Sequence, residues 1–483
     1  MKRSVYRVAA SVAAAALGCG VYRVPLEAQQ HKRQVIGFLD SRYGELSSVA
    51  RQIWTWAEVG YQEEKSSALL AGQLREAGFT VETGVAGMPT AFVASYGRGR
   101  PVIALLAEFD ALPGLSQDTV PERRPLPGRD AGHACGHHLF GTAATGAGIA
   151  IKEWLEREKR SGTIRVYGTP AEEGGSGKVY MVRAGLFEDV DVVLSWHPGD
   201  ENDAGPSTNL ANKSAKFRFH GLSAHAAAAP ERGRSALDAV EAMNFMVNLM
   251  REHVPATSRI HYVITAGGRA PNVVPDFAEV YYYVRHPDHR TVEELFERLV
   301  KAAEGAALGT GTTMDYEVIG GTYSRLPNET LARILDANLR LVGGVTYSAE
   351  EQALAEKIYA TLAPTGKKLG SQAEVAPYEM HVTNASSDAG DVSWVVPSAS
   401  FTAATWVPGT PAHSWQAVVA GGTSIGFKGM MVAAKTLALS AIDLYLEPRL
   451  VAEARREFEA KRGPNFVYRP LLGDRPPALD YRK

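Results

Sequence analysis

The stretch Val102–Ala107 reads Val-Ile-Ala-Leu-Leu-Ala, apolar at every position. A strand without polar alternation has to be covered on both faces, the setting of a parallel strand sandwiched between helices. Residues 164–167 and 190–196 are expected to be further buried strands, and 90–96 another strand. Helical spacing runs over 34–59, where Leu39, Tyr43, Leu46, Ile53 and Trp54 share a rough face, and over 63–77, stopped by Gly78. A helix is expected over 139–158, where Gly141, Ala144, Gly146 and Gly148 leave room for close approach to a sheet. The class this predicts is α/β, a mixed sheet with helices on both faces.

The texture changes near Lys213. Residues 215–220 alternate like a half-exposed strand, 234–252 and 291–307 are helical, and 259–265, 279–285 and 314–319 read as strands. Strand-helix-strand-strand-helix-strand is a ferredoxin-like α+β unit, expected as a domain over 213–324 inserted into a larger one. That larger domain covers 33–212 and resumes over 325–447, through helices near 328–341 and 349–362 and a closing helix within 422–446. The Arg- and Pro-rich segment 448–483 is assigned to no domain. A chain of 483 residues is long enough to require this division.

A net charge of −2 and a pI near 6.7 argue against a surface built for nucleic acid or anionic membrane. Residues 1–28 have the form of a secretory signal peptide: Lys2, Arg3 and Arg7 precede an apolar run over 8–21, and Leu26-Glu27-Ala28 loosely fits a cleavage site. A periplasmic or secreted protein is therefore expected. An uncleaved anchor and lipoprotein processing at Cys19 are the alternatives. The apolar run is shorter than the roughly 20 residues of a spanning helix. No later segment is expected to span a membrane, since even 430–446 contains Lys435 and Asp443. Of the two cysteines only Cys135 remains once the signal is removed, which excludes a disulfide-built fold.

Polar clusters follow the buried strands. Gly132-His133-Ala134-Cys135-Gly136-His137-His138 sets a thiol and an imidazole two residues apart in a glycine-bounded turn, one soft and one borderline ligand for a zinc-like ion. Thr169-Pro170-Ala171-Glu172-Glu173-Gly174-Gly175 follows one strand and Ser195-Trp196-His197-Pro198 closes the next; His413 lies in Gly409-Thr410-Pro411-Ala412-His413-Ser414. Singly, the thiol and the acidic pair have plain structural readings: a core cysteine and a solvated acidic turn. Together they read as a metal-hydrolase site at strand ends.

Their order, with Ala107-Glu108-Phe109-Asp110-Ala111-Leu112-Pro113 upstream and Gly421-Gly422-Thr423-Ser424-Ile425-Gly426 downstream, resembles the two-metal aminoacylase/carboxypeptidase family. The match is best to its branch of p-aminobenzoyl-glutamate hydrolases and related amidohydrolases, over about 35–446. The resemblance implies two divalent ions, Zn2+ first, with Mn2+ or Co2+ as alternatives. Cys135 would bridge them, His137 and His197 would complete one site, and Glu173 and His413 the other. Glu172 would be the general base and Asp110 would orient a ligand imidazole. In the inserted lid and dimerisation domain, His225 would stabilise an oxyanion in a partner's site. Asn272 and Arg285 would bind a substrate carboxylate; the arginine fork suits that task.

Two positions depart from the wider pattern. Glu108 stands where a ligating His is common two residues before the Asp, and His138 where many relatives carry Asp. Whether His138 or His133 contacts metal is left open by the sequence. The reading favoured for His138 is a place behind the ligands, and His133 is close enough to Cys135 for the same place to be an alternative to a surface or structural role. The implied activity is hydrolysis of p-aminobenzoyl-glutamate or a similar N-acyl or N-aroyl amino acid, a small amide carrying a carboxylate. A broader aminoacylase or metallocarboxypeptidase is the alternative, and a catalytically silent metal-binding scaffold the alternative outside the class. The partners implied are a second copy, in a homodimer through the lid, and a paralogous subunit.

Overall fold

The computed structural model describes residues 26–483, for 26–28 the backbone only. The signal-peptide reading of 1–28 and the lipoprotein reading of Cys19 fall outside the described residues, save that a helix, Leu26–Ser41, begins within that stretch.

Strands β1 (Thr80–Thr83), β2 (Phe92–Arg98), β3 (Val102–Ala107), β4 (Gly162–Gly168) and β5 (Val192–Gly199) join one distant strand in a six-stranded sheet. A short strand β6 (Ser207–Thr208) leads to β7 (Ala211–His220), β8 (Arg259–Ala266), β9 (Phe277–His286) and β10 (Thr313–Thr322). Then β11 (His381–Val382) pairs with β6, and β12 (Ser398–Ala404) closes the large sheet, whose order is β1-β2-β4-β3-β5-β12. The pairs β4·β3, β3·β5 and β5·β12 are parallel and the pairs nearer β1 antiparallel, so the sheet is mixed as expected. All six residues of β3 are buried, which its apolar run requires.

Helices His137–Arg157 and Ser424–Leu446 pack on each other and on the central strands. The glycines of the first do what their size allows: a Cβ at Gly148 would fall 2.5 Å from the Val166 side chain, and one at Gly141 2.7 Å from the Glu108 carbonyl. Ser424–Leu446 is long and apolar enough to cross a membrane, yet 89% of its apolar window lies inside the protein. It is the core helix of the large domain, with Asp443 2.7 Å from Lys32.

The antiparallel sheet β10-β7-β9-β8 is covered on one face by helices Ala236–Met250 and His289–Thr310, giving the expected ferredoxin-like unit. Alternation explains its register: Ala278, Val280, Tyr282 and Val284 of β9 enter the core under those helices. Tyr281, Tyr283 and Arg285 therefore occupy the opposite, open face.

Several elements differ from expectation. The stretch 34–59 is two helices, Leu26–Ser41 and Tyr43–Trp56, broken at Arg42, whose backbone leaves helical values. Strands β1 and β12 and the helices Gly177–Arg183, Ala389–Val395 and Trp415–Gly421 were not anticipated. The segment from Pro448 begins with a helix, Pro448–Arg462.

Candidate metal centre

Strand ends and the loops behind them place the ligands. The turn after Gly132 delivers Cys135, buried at 7% exposure, and Gly136 has φ +75°. A side chain at Gly136 would also meet Pro198 at 2.7 Å, so only glycine lets this turn lie against the end of β5. His137 is the first residue of helix His137–Arg157, two residues earlier than the sequence pattern indicates. His197 lies inside β5 rather than after it. Glu172 and Glu173 form a turn behind β4, bracketed by left-handed Ala171 (φ +55°) and Ser176 (φ +60°). The His413 N–H donates to the Ala134 carbonyl at 3.0 Å, tying that distant loop to the cysteine turn.

The ligand atoms of Cys135, His137 and His197 lie within 4.8 Å of one another, and so do those of Cys135, Glu173 and His413. Cys135 is common to both groups. His137, Glu172 and Glu173 form a third. The Cys135 Sγ is 3.5 Å from His197 Nε2, and His413 Nε2 is 3.0 Å from Glu173 Oε1. Asp110 accepts from His137 Nδ1 at 2.8 Å, leaving Nε2 as the free nitrogen, 3.1 Å from Glu108 Oε2.

The donor set suits metal. His137 Nε2, Glu108 Oε2 and Glu173 Oε1 are all buried and make no well-directed hydrogen bond; their near neighbours are one another and His413, a crowding of donor atoms that a shared cation would relieve. Burial opposes it, but the imidazoles of His137 and His197 hold the Cys135 thiol well below its usual range, toward the thiolate that ligates. Contacts with Cys135 and Glu173 push His413 up to about 10. Burial first, then the charges of Glu108, Glu173 and Asp388, raise the Glu172 carboxyl well above its ordinary value against the pull of Lys178.

Behind these groups lie residues that the sequence reading missed. Lys178 is fully buried, its ammonium 2.7 Å from both Glu108 Oε1 and Asp388 Oδ1. Arg325 is desolvated with its guanidinium in the field of Glu108, Glu172 and Asp388. A lysine in Gly-Lys-Val and an arginine between Ser and Leu carry no local signal. His138 donates to the Gly421 carbonyl at 2.9 Å, and burial lowers its pKa to about 3, so it is neutral. His133 bonds the Ile53 carbonyl at 3.1 Å. Neither belongs to one of the ligand groups.

His225, Asn272 and Arg285 are not brought to this cluster by any described hydrogen bond or ion pair. The Ala226 N–H donates to the Asn272 carbonyl, so His225 and Asn272 share one exposed pair of lid loops. The Nδ1 of His225 accepts from the N–H groups of Ala227 and Ala228 at 3.2 and 3.1 Å, which leaves Nε2–H pointing outward as a donor. Arg285 lies on the open lid face, over the Tyr283 ring.

The fold and much of the sequence are shared with known proteins. Residues 210–310 match the M20 peptidase dimerisation domain. The chain is 44% identical over 441 residues to one of the subunits of p-aminobenzoyl-glutamate hydrolase from Escherichia coli, covering 86% of this chain and 92% of that one. It belongs to the M20 family of peptidases and amidohydrolases. With the family comes the activity class, hydrolysis of amide bonds. The mouse Xaa-Arg dipeptidase is 30% identical over 446 residues, covering 89% of this chain and 92% of that protein. An aminobenzoyl-glutamate utilization protein from Klebsiella pneumoniae superposes with a TM-score of 0.60 at 21% identity, covering 85% of this chain and 98% of that one, which shows the common fold.

Proposed function

We propose that this M20 enzyme hydrolyses the amide of p-aminobenzoyl-glutamate or a similar N-acyl or N-aroyl amino acid, using two divalent ions held through a shared Cys135. The carrying observation is the pair of three-residue groups that meet at Cys135, with Glu172 beside them. Cys135, His137 and His197 would hold one ion, and Cys135, Glu173 and His413 the other; thiolate and imidazole donors favour zinc, with manganese or cobalt as substitutes. Bound there, the ions would supply Lewis acidity to the amide carbonyl and acidify a water.

Glu172 takes the proton of the attacking water. As the carbon–nitrogen bond breaks, it passes that proton to the amide nitrogen, which leaves as an amine; the acyl group leaves as a carboxylic acid, whose own proton is then lost to solvent. Its raised proton affinity suits both halves of the exchange. Asp110 keeps His137 in the tautomer whose Nε2 is free. The outward Nε2–H of His225 would stabilise the oxyanion in a partner's site, since no contact brings it to its own. Asn272 and Arg285 would recognise the substrate carboxylate, with Arg325, in the field of Glu108, Glu172 and Asp388, as a further cation. The dimerisation domain supports a homodimer, and the make-up of the E. coli relative, an enzyme of more than one kind of subunit, supports a paralogous partner. The basic and apolar start of the chain supports export to the periplasm.

Metal analysis, coupled to amine release from p-aminobenzoyl-glutamate and a panel of N-acyl amino acids and dipeptides, tests this reading. Two ions per chain, with turnover lost and metal kept in Glu172→Gln, is the expected result. Turnover of dipeptides alone would move the substrate to the broader peptidase class, and a protein without metal would overturn the site.

A further inference from the structure

Residues 463–483 follow the helix Pro448–Arg462 without forming helix or strand, yet they link the two domains to the catalytic turn. Leu471 is 1% exposed and belongs to the lid core; its neighbour Leu472 is 2% exposed and belongs to the core of the large domain. Gly321 of β10 makes the passage possible, because a Cβ there would fall 2.5 Å from the Leu472 nitrogen. On the lid side the Arg475 guanidinium donates to the carbonyls of Val318 and Ile319, the latter at 2.8 Å. On the other side Arg183 donates to the carbonyls of Gly473 and Arg475, at 3.0 and 2.8 Å, and Tyr180 to that of Pro476 at 3.2 Å.

The segment then reaches the metal centre. Gln62 donates to the Leu479 carbonyl at 2.8 Å, and the rings of Tyr61 and Tyr481 meet edge-on at 5.7 Å. Tyr481 Oη and Arg482 Nη2 both donate to the carbonyl of Glu173, each at 2.9 Å. The N–H of the same residue donates to Asp110 Oδ2 at 2.9 Å. Both peptide groups flanking the Glu173 Cα are thus held, one by the residue that orients His137 and one by this segment. A turn between two left-handed non-glycine residues does not hold such a shape by local preference, so external partners have work to do there.

We infer that 463–483 is a positioning strap, in which Tyr481 and Arg482 set the backbone of Glu173 so that its carboxylate meets Cys135 and His413. The inference rests on Glu173 being a ligand, as in the proposed function. Tyr481 and Arg482 bond the Glu173 carbonyl rather than its carboxylate, and act through that carbonyl.

The test is a chelator-competition titration of the full chain and of Tyr481→Phe/Arg482→Met, which removes both donors and keeps ring and stem, alongside kcat, KM and melting temperature. The strap predicts one of the two ions bound at least about ten-fold more weakly, the scale of outer partners of metal ligands. It also predicts a lower kcat at unchanged KM, recovery with added metal, and partial rescue in Tyr481→Phe/Arg482→Lys. If the double variant fails to fold, each single variant is predicted to show a smaller loss for the same ion. Unchanged affinity for both ions, in the double variant or in the singles that replace it, overturns the strap. Failure of the proposed function shows differently, as a wild-type protein that already lacks the second ion, and it takes the strap with it.

Discussion

Asp110 accepts the Nδ1 proton of His137 at 2.8 Å, and that single contact decides which nitrogen of the imidazole faces the metal centre. The other carboxylate oxygen is engaged by the Glu173 N–H. Burial opposes ionisation here, but the His137 imidazole keeps Asp110 below the usual carboxylate range. In Asp110→Asn one donor–acceptor pair must fail: the amide NH2 faces either His137 Nδ1, forcing the proton onto Nε2, or the Glu173 N–H. Metal affinity is expected to fall roughly 10- to 100-fold in a chelator competition. Wild-type affinity in this variant would show that the ring is oriented by other contacts.

Lys178 offers a second prediction. Its ammonium is fully buried between Glu108 and Asp388, and Glu108 in turn lies 3.1 Å from His137. Lys178→Met leaves the two carboxylates without the ammonium that lies between them. Breaking a buried pair on one side costs about 3–5 kcal/mol, so chemical denaturation should show a loss of that order. Lys178→Met/Glu108→Gln should recover part of it, because one of the orphaned charges is gone. A double variant as unstable as the single would place the effect in packing rather than charge.

Strand β3 was legible because six consecutive apolar residues have one structural solution, and the lid because its strands alternate. β12 was not: Ser-Ala-Ser-Phe-Thr-Ala-Ala is small and weakly patterned, and becomes a strand by pairing with β5. The break at Arg42 was hidden because the apolar spacing continues through it. For the site, residue types and spacing near glycine pointed to Cys135, His137, Glu172, Glu173, His197 and His413, which the fold brings together. Glu108 stood out only as a departure from the family pattern, and Lys178 and Asp388 were invisible, since a buried charge network has no local pattern and its partners lie up to 280 residues apart (388 against 108). Tyr481 and Arg482 meet Glu173 across more than 300 residues, beyond any periodicity.

The stability of the protein should depend on pH through Glu63. This side chain is buried and accepts from the Ala171 N–H at 2.8 Å and from Thr90 Oγ1 at 2.9 Å. Burial first, then the charge of Asp110, raises its pKa from the ordinary 4.5 to about 8. The folded protein therefore holds a proton here that the unfolded chain has released. Its stabilising contribution is complete below about pH 4.5 and is lost as pH rises through about 8, on the order of a few kcal/mol. Glu63→Gln mimics the protonated form and can still receive the Ala171 N–H. The stability of the variant should match wild type near pH 5 and exceed it increasingly toward pH 8.5 in denaturant melts. Parallel curves over that range would remove Glu63 from the account.

Metal should shield Cys135 from electrophiles. It is the one cysteine among the described residues, nearly buried, with a thiol held well below its usual range by His137 and His197 despite desolvation. A low-pKa thiolate is the reactive form, and an ion on the sulfur would occupy the lone pair that attacks. Alkylation by iodoacetamide at pH 7, mapped to this residue by mass spectrometry, should be slow in the metal-loaded protein and clearly faster after chelation. Restoring zinc before alkylation should restore protection, while His197→Ala should blunt the contrast by weakening both the metal and the thiolate. Equal rates with and without metal would mean that Cys135 is not a ligand, and the shared vertex of the two ligand groups would be lost with it.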